Sequence, residues 1–367
     1  METVEDQRPA VELFRVSRVR RWPSRSVLVA AAVWLLFVVL HRLLTGRFWL
    51  WLVPDMAPPL IYLVVPLVLL GLVPVIGRLR VPCALLAAGS LLLGAGHGGL
   101  NLSALTHDGG TTGDLRVFSW NTEYWHQDDD PERFYRFLKD QEADVYVLQE
   151  YLNWVDDQPK EVDELDRLRR EFPGYHLAAE GELLTLSRFP IVATPRVGPA
   201  PARPSWQEAF DLVKILRTDL RVGASVLSVY NVHIPAQYVL NENPFGERFY
   251  TELRSRSARR DVQFGSLRQD VEANRNAVLV SGDFNSTSAM GEMAWLFDRL
   301  SDANDANPSL YPASWYAGVL PLWQLDWTFT ASVRVHTYDL RDPQGMSDHR
   351  AQSLLADLTE RATSPTW

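Results

Sequence analysis

The segment Val278-Leu279-Val280-Ser281-Gly282-Asp283-Phe284-Asn285-Ser286 predicts a buried strand that ends in a polar turn. Its three apolar residues favour the strand, and Ser281-Gly282 favours the turn. Asp283 and Asn285 lie two residues apart, so both side chains can leave the strand end on the same side. A carboxylate beside an amide can orient a water molecule and accept its proton. The same residues are ordinary turn formers, so this segment alone leaves a purely structural role open.

Five further polar segments lie beside predicted strands. They are Ser119-Trp120-Asn121, Leu148-Gln149-Glu150, Tyr230-Asn231-Val232-His233, Leu325-Asp326-Trp327 and Ser347-Asp348-His349. Each has a structural alternative: Glu150 as an exposed carboxylate, Asn121 as a turn former, His233 as a half-buried histidine. Asp326 is harder to explain in that way, because a carboxylate within an apolar strand needs a partner. Six such segments in one chain favour a shared site over six independent coincidences.

Strand and helix patterns alternate from Asp114 onward. One helix is predicted to begin at Asp130-Pro131-Glu132, and a longer one lies between Phe249 and Asn274. Strands are predicted at Leu115–Trp120, Val145–Leu148, Leu183–Leu186, Ser225–Val232, Val278–Val280, Leu325–Thr330, Val333–Tyr338 and Gln352–Leu358. Many strands separated by single helices and long loops predict a sheet-based α/β domain of about 250 residues.

Taken in order, these polar segments resemble the endonuclease/exonuclease/phosphatase superfamily, which has the DNase I-like fold, over residues 114–360. Ser187-Arg188-Phe189-Pro190-Ile191 is similar to the Ser-Arg-x-Pro element of that superfamily. The resemblance implies a four-layer α/β sandwich, in which two mixed sheets lie face to face with helices outside. It also implies metal-dependent hydrolysis of phosphoester or phosphoanhydride bonds, with Arg188 as an additional substrate-binding residue.

The resemblance further implies a divalent cation, Mg²⁺ or Mn²⁺, at the site. Glu150 is the leading metal ligand, with Asn121 and Asp348 in support. This set suits the cation, because Mg²⁺ typically takes one or two protein carboxylates and fills its remaining positions with water and substrate.

The same resemblance assigns catalytic roles to five side chains. Asp283 would activate the attacking water, and Asn285 would position water or phosphate. His349 would stabilise the pentavalent phosphorus, with Asp326 paired to it to set its tautomer. His233 would contact phosphate or protonate the leaving oxygen. Phosphate-ester hydrolysis needs such an oriented water and such donors for the charge that develops.

Three apolar runs precede the domain, at Val27–Leu40, Leu60–Ile76 and Val81–Gly96. Each is slightly shorter than the roughly 20 residues that a membrane-spanning helix prefers. A signal peptide would explain the first run, and buried core helices would explain all three. No small-residue cleavage site follows the first run, and polar residues are nearly absent from each. The sequence therefore predicts three transmembrane helices.

Arginine distribution predicts the orientation of these helices. The basic N-terminal tail, residues 1–25, and the loop with Arg78 and Arg80 are expected in the cytoplasm, although Arg42 and Arg47 on the opposite side break the rule. Three crossings within residues 26–97 then place the rest outside the cytoplasm. That remainder comprises a flexible linker at 98–113, the catalytic domain at 114–360 and a C-terminal tail at 361–367. We therefore expect a multi-pass cell-membrane protein whose partner is the lipid bilayer, with no protein partner implied.

Charge bears on the substrate. Residues 1–100 contain ten arginines and five acidic residues, and subtraction from totals of 36 basic and 45 acidic residues leaves a net charge of −14 for the rest. An acidic domain is a poor match for a protein that binds polyanions through bulk charge, so nucleic acid is less favoured.

The layout of the chain further resembles VanJ-type teicoplanin-resistance proteins. This resemblance implies a lipid-linked (polyprenyl) phosphate or pyrophosphate of the cell envelope as substrate. Two alternatives stay open, an extracytoplasmic metal-dependent nuclease and a catalytically inactive receptor or scaffold on the same fold.

Arginines crowd the predicted long helix, among them Arg254, Arg256, Arg259, Arg260 and Arg268. Acidic neighbours dilute their charge. A solvated helix face is therefore favoured over a nucleic-acid-binding stripe.

Overall fold

The computed structural model describes residues 24–106, 113–237, 243–318 and 320–359, with the side chains of all of these except Arg78 and Ala317. Nearly all of the predicted N-terminal tail, and all of the predicted C-terminal tail at 361–367, lie outside the described residues.

One sheet contains six strands in the order β15-β16-β1-β2-β6-β5. In it β1 and β2 are parallel, and the other pairs are antiparallel. Its strands are β1 Leu115–Asn121, β2 Val145–Gln149, β5 His176–Glu180, β6 Leu183–Ser187, β15 Val333–Arg341 and β16 Ala351–Leu358. Two short hairpin strands, β3 Leu152–Val155 and β4 Gln158–Glu161, pair with each other beside this sheet.

The second sheet also has six strands, in the order β11-β14-β10-β9-β8-β7. Again a single central pair, β9 and β10, is parallel. Its strands are β7 Ile191–Ala193, β8 Ile215–Val222, β9 Ser225–His233, β10 Ala277–Asp283, β11 Ser301–Asp302 and β14 Asp326–Ala331. The hairpin of β12 Trp315–Ala317 and β13 Leu320–Trp323 precedes β14.

Apolar side chains from both sheets form the central core. Val117 and Val147 of the first sheet pack in one cluster with Val229 and Leu279 of the second. Burial of each such side chain contributes roughly 1.5–3 kcal/mol, so facing apolar rows hold the two sheets together.

Helices cover the outer faces of both sheets. They are α5 Pro131–Asp140 and α6 Leu165–Glu171 on the first sheet, and α8 Glu247–Ala273 and α9 Ala294–Arg299 on the second. A shorter helix, α7 Trp206–Leu212, packs through Ala209. The predicted start of α5 is confirmed: the Asp130 side chain caps the helix by accepting from Glu132 N, and Pro131 follows it. Two mixed sheets between outer helices confirm the predicted α/β sandwich.

The three apolar runs all form helices: α1 Ser24–Leu44, α3 Ile61–Leu72 and α4 Arg80–Gly94, with the short α2 Leu52–Asp55 after α1. In the described part of the chain, only the helices Ser24–Leu44 and Arg80–His97 are long and apolar enough to cross a membrane. The apolar helix Ile61–Val75 is about 22 Å long at 1.5 Å per residue, short of a bilayer core of roughly 30 Å. The structure thus supports two of the three predicted spanning helices by length and composition.

The three helices run in alternating directions. His41 at the end of α1, Tyr62 at the start of α3 and His97 just after α4 adjoin one another, with ring centroids 4.8–5.7 Å apart. The first and last helices therefore end on the same side, and α3 begins there.

The α/β domain sits directly on that end of the helices. His41 Nε2 donates to the carbonyl of Ala289 at 2.8 Å, and Gly291 N donates to Thr45 Oγ1 at 2.9 Å. From the domain, Trp323 Nε1 donates to Met56 O at 3.0 Å. The helical region therefore contacts the loop that follows β10 and the hairpin strand β13 that precedes β14.

The segment 98–113, predicted as a flexible linker, is attached to the domain in its first half. Asn101 Nδ2 donates to the carbonyls of Asn304 at 2.7 Å and Asn307 at 2.9 Å. Ser103, within a short 3₁₀ turn, donates to Asp305 at 2.8 Å. Residues 107–112 lie outside the described residues.

Candidate active site

Strand register brings the polar segments of the second sheet together. Asp283 at the end of β10 lies opposite His233 of β9 on one side and Asp326 of β14 on the other. Directly opposite residues point to the same face of a sheet. The three side chains therefore form a row along one edge.

Backbone conformations at this edge are unusual. Gly282 has φ +144°, and a Cβ on it would lie 2.0 Å from the carbonyl oxygen of Val232, so only glycine fits beside β9. Glu150 and Asn285 have φ values of +58° and +47° and turn the chain immediately after β2 and β10. Left-handed non-glycine residues are strained and cluster at functional sites.

Asn121 joins the two sheets at the site. Its Nδ2 donates to Glu150 Oε1 and to Asp283 Oδ2, both at 3.0 Å. Asp283 also accepts from Asn285, through the backbone N at 2.7 Å and through Nδ2 at 3.2 Å. The predicted metal ligand Glu150 and the predicted base Asp283 therefore share one amide group.

A second inter-sheet link lies directly beneath. Gln149 Nε2 donates to Asn231 Oδ1 at 2.6 Å, and Asn231 Nδ2 donates to the carbonyls of Leu148 and Leu184. Both side chains are fully buried. These buried hydrogen bonds between the sheets fix the relative position of the two sheet edges, although Gln149 Oε1 itself has no partner among the described residues.

His349 is held between carboxylates. Its Nδ1 donates to Asp326 Oδ2 at 2.8 Å, an oxygen that also accepts from Ser314 Oγ at 2.6 Å. Its Nε2 lies 3.7 Å from Asp283 Oδ2. Burial opposes the imidazolium, but Asp326 and Asp283 outweigh it and raise the pKa of His349 well above its usual value. The predicted pairing of Asp326 with His349 is confirmed.

His233 is held in the same manner by a residue that the sequence did not single out. Its Nδ1 lies 3.2 Å from Oε1 of Glu182, whose other partner is the ammonium of Lys214. Burial would lower the pKa of His233, but the carboxylates of Glu182, Asp283 and Glu150 raise it to about 9. Burial would raise the pKa of Glu182, but Lys214 and His233 lower it to about 2. His233 Nε2 lies 3.7 Å from Asp283 Oδ2.

Asp348 lies at the rim of the site. Its Oδ1 is 3.7 Å from His349 Nε2, and its Oδ2 accepts from Trp315 Nε1 at 2.8 Å. Its backbone N donates to Glu123 Oε2 at 2.7 Å. Glu123 begins a left-handed turn, and the next residue, Tyr124, donates its N to Glu150 Oε2 at 3.1 Å. This turn thus connects Asp348 with Glu150.

Arg188 is not part of this site. Its backbone N and its Nη1 both bind Asp144, which precedes β2, whereas Glu150 follows β2. Because β6 runs antiparallel to β2, its C-terminal end lies at the opposite edge of the sheet. The Arg188 side chain is 50% exposed and donates from Nε to Tyr175 OH at 2.7 Å. The prediction that Arg188 clamps the substrate phosphate is therefore wrong.

The oxygen donors around Glu150 fit a divalent cation. Burial raises the pKa of Glu150, with Glu182 adding to the effect, so a positive charge at this carboxylate would be stabilising. Glu150 and Asp348 present carboxylate oxygens, which Mg²⁺ and Mn²⁺ prefer, whereas Asn121 directs its Nδ2 at Glu150 and its Oδ1 accepts from Glu123 N at 3.1 Å.

Asp283, Asp326 and His349 form a second group whose ligand atoms lie within 4.8 Å of one another. In this group His349 is bonded to Asp326 through Nδ1, and its Nε2 lies toward Asp283. The structure thus offers two positions for a cation, one at Glu150 and one at Asp283, Asp326 and His349.

Comparison with known proteins agrees with this geometry. The model of the Endonuclease/Exonuclease/phosphatase family matches residues 118–349, which include all nine predicted site residues. No curated protein matches the chain.

Several solved structures are similar in fold. An endonuclease/exonuclease/phosphatase from Beutenbergia cavernae is 18% identical over 69% of this chain and 74% of its own, with a TM-score of 0.51. A 3′ phosphatase from Neisseria bound to a product DNA hairpin is 15% identical over 66% and 98%, with a TM-score of 0.45. A mannosyl-6-phosphatase from Bacteroides thetaiotaomicron is 14% identical over 66% and 99%, with a TM-score of 0.44.

At such identities the likeness to solved structures concerns the fold alone. The family match rests on sequence and extends over more than half of the chain, from the strand of Asn121 to His349. The chain belongs to the endonuclease/exonuclease/phosphatase family, whose members hydrolyse phosphoester bonds and are generally dependent on divalent metals.

Proposed function

We propose that this protein is a membrane-anchored, metal-dependent phosphohydrolase that acts outside the cytoplasm on a lipid-linked phosphate or pyrophosphate. The observation that supports hydrolase activity is the arrangement of side chains around one carboxylate oxygen of Asp283. Asp283 Oδ2 lies 3.7 Å from Nε2 of His233 and 3.7 Å from Nε2 of His349. A carboxylate base between two cationic donors suits attack of water on a phosphoryl group.

Each side chain has a distinct task in this proposal. Asp283 accepts the proton of the attacking water, which Asn285 helps to position. His233 and His349 donate to phosphoryl oxygens, where negative charge builds up in the transition state. Glu150, with Asn121 and Asp348, would hold a divalent cation, which would supply Lewis-acid polarisation of a phosphoryl oxygen.

The position of the helices supports a substrate at the membrane. The loop that begins with Asn285 and continues through Ala289 and Gly291 rests on the end of α1. Trp323, three residues before Asp326, contacts the segment after α2. The edge of the domain that holds the site thus faces the end of the helices, where a lipid-linked phosphate would lie.

The alternating directions of the helices support an extracytoplasmic domain. Since α1 and α4 both end beside the domain, their beginnings lie on the opposite side. Arg25 and Arg80 lie at those beginnings, and arginine-rich ends remain in the cytoplasm. A reporter enzyme fused to the C-terminus tests this part: activity only in the cytoplasm would refute the proposed orientation.

Hydrolysis is tested with the full-length protein in detergent, supplied with Mg²⁺ and either a polyprenyl pyrophosphate or plasmid DNA. We expect phosphate release from the lipid, abolished in Asp283→Asn and retained in Arg188→Ala. Cleavage of plasmid by wild type but not by Asp283→Asn, with the lipid untouched, would establish the nuclease alternative instead. An inert protein whose Asp283→Asn variant behaves like wild type in cells would indicate the scaffold.

A further inference from the structure

A cavity of about 240 Å³ lies between the end of α1 and the side of α8, away from the catalytic histidines. The chain that leaves α1 forms one wall, with Gly46, Arg47 and Trp49, and one face of α8 forms the other, with Arg254 and Ser257. The wall that contains Arg47 begins at Gly46, two residues after Leu44, the last residue of α1. The cavity therefore opens at the level where an apolar helix would leave the bilayer.

Two arginines from different elements, Arg47 and Arg254, line this cavity. Arg47 and Arg254 are exposed, and neither side chain has a hydrogen bond or ion pair with any residue that the structure describes. Asp261 and Glu292 also line the cavity, but the buried guanidinium of Arg260 already pairs with Glu292. Among the lining residues, Arg47 and Arg254 therefore face one carboxylate without its own arginine partner, that of Asp261, which leaves a net positive charge.

Apolar side chains project from the same junction. Phe48 is 43% exposed, Tyr250 is 39% exposed and Phe245, just before α8, is 93% exposed. Phe249 of α8 packs on Leu52, so this end of α8 is fixed to the chain that leaves α1. Aromatic residues prefer the boundary between headgroups and acyl chains, which suggests that this surface lies against lipid.

We propose that this cavity binds the phosphate of an anionic membrane lipid, with Arg47 and Arg254 as its ligands. The proposal rests on the membrane anchoring proposed above, but not on the reaction. Arginine binds phosphate through paired N–H donors, and the surrounding aromatic groups contact the acyl chains. It also accounts for Arg47, which lies on the side of the membrane where arginine is normally infrequent.

The test compares lipids retained by the full-length protein. Wild type, the double variant Arg47→Gln/Arg254→Gln and the matched control Arg221→Gln/Arg268→Gln are placed in vesicles of phosphatidylcholine and phosphatidylglycerol, then re-extracted in mild detergent. The control removes two exposed arginines distant from the cavity, one of them on the same helix. Bound lipids are counted by mass spectrometry, and equal thermal unfolding of the three proteins confirms that each is folded.

We expect wild type and control to retain phosphatidylglycerol over phosphatidylcholine by about tenfold, because the choline cation offsets the phosphate charge in phosphatidylcholine, whereas phosphatidylglycerol presents a net negative charge to the two arginines. The double variant should lose this preference. The proposal would be overturned if the double variant retained as much phosphatidylglycerol as wild type, or if wild type retained both lipids equally. Displacement of the bound lipid by millimolar inorganic phosphate would assign the cavity to soluble phosphate instead.

Membrane fractionation of the cells that express these proteins distinguishes a failure of the proposed membrane anchoring from a failure of the proposed lipid site. Wild type found in the soluble fraction would refute the anchoring and, with it, the lipid site. Wild type found in membranes without lipid preference would refute the lipid site alone.

Discussion

Glu182 Oε1 lies 3.2 Å from Nδ1 of His233, and the carboxylate is almost fully buried, with 3% of its side chain exposed. The same carboxylate accepts from the ammonium of Lys214. A buried anion between two cations has no water to replace a lost partner. Glu182 therefore positions His233 and keeps it charged.

Replacement of Glu182 should alter the pH dependence of stability. The pKa of His233 is raised to about 9 in the folded protein from an ordinary 6.5. Its contribution is therefore fully present below pH 6.5 and is lost as the pH rises through 9. We expect wild type to lose more stability over this range than Glu182→Gln, which lacks the main charge that raises this pKa. Thermal unfolding of the full-length protein in detergent and EDTA, measured from pH 6 to 10, tests this.

Identical pH profiles of wild type and Glu182→Gln would contradict this role for Glu182. The raised pKa of His349 affects both proteins alike, because Asp326 and Asp283 are unchanged. Glu180→Gln, a nearby replacement on β5, serves as the control and should leave the profile unchanged.

Arg260 should be required for the shape of the site rather than for its chemistry. Its side chain is fully buried and binds Glu292, Ser286 and the carbonyl of Pro235. Pro235 follows His233 and Ser286 follows Asn285, so one guanidinium ties together the two loops that leave the site. Arg260→Met leaves Glu292 buried without its cation and should lower the free energy of unfolding by about 3–5 kcal/mol.

A double-mutant cycle separates the ion pair from simple packing. Arg260→Met/Glu292→Leu should recover much of the loss, because no unpaired charge remains. Urea unfolding gives the values. Arg268→Ala on the same helix breaks only an exposed pair with Glu272 and should cost less than about 1 kcal/mol. If Arg260→Met and Arg268→Ala were equally mild, Arg260 would not tie the loops together.

Gly282→Ala should disrupt the edge that carries Asp283. A methyl group there would lie 2.0 Å from Val232 O. The backbone of β9 would have to shift to relieve this overlap, and that shift would move the neighbouring His233. We expect a loss of at least about 3 kcal/mol in the free energy of unfolding, measured by denaturant titration.

Gly265→Ala is the matched control for that substitution. The position lies on an exposed turn of α8, with no atom within 4 Å of the added carbon. Alanine there should stabilise the protein by about 0.5–1 kcal/mol, because glycine is a poor helix former. A tolerated Gly282→Ala would show that the β9–β10 contact is adjustable.

Arg188→Ala and Asp348→Ala should differ in activity. Arg188 lies at the far edge of its sheet, so its loss should change phosphate release by less than about twofold, the scale of a surface substitution. Asp348 lies 3.7 Å from His349 Nε2, and its loss should raise the Mg²⁺ concentration needed for half-maximal rate by at least about tenfold. Titration of Mg²⁺ with each variant is the measurement. Equal Mg²⁺ requirements would remove Asp348 from the metal site.

Much of the fold follows from local patterns. Val278–Val280 and Val145–Leu148 are apolar runs bounded by polar turns, and both are central strands. The helical pattern between Phe249 and Asn274 corresponds to α8. By contrast, β8 at Ile215–Val222 was not predicted, because Arg217, Thr218 and Asp219 interrupt its apolar pattern. In the structure Arg217 pairs with Asp219 on the same strand and with Asp270 of α8, and Asp219 accepts from Ser228 of the neighbouring strand β9.

The sequence alone determined which segments beside the strands carry polar groups, and six of these converge on one edge of the sandwich. Strand direction, which only the tertiary structure decides, explains two errors at the site. Glu182 and Lys214 were not predicted to be there, and Arg188 was. Parallel strands such as β9 and β10 bring their C-terminal ends to that edge, whereas antiparallel neighbours bring their N-terminal ends. Glu182 before β6 and Lys214 before β8 therefore reach the site, and Arg188 after β6 lies at the opposite edge. Chain direction depends on long-range pairing, which no local pattern of residues encodes.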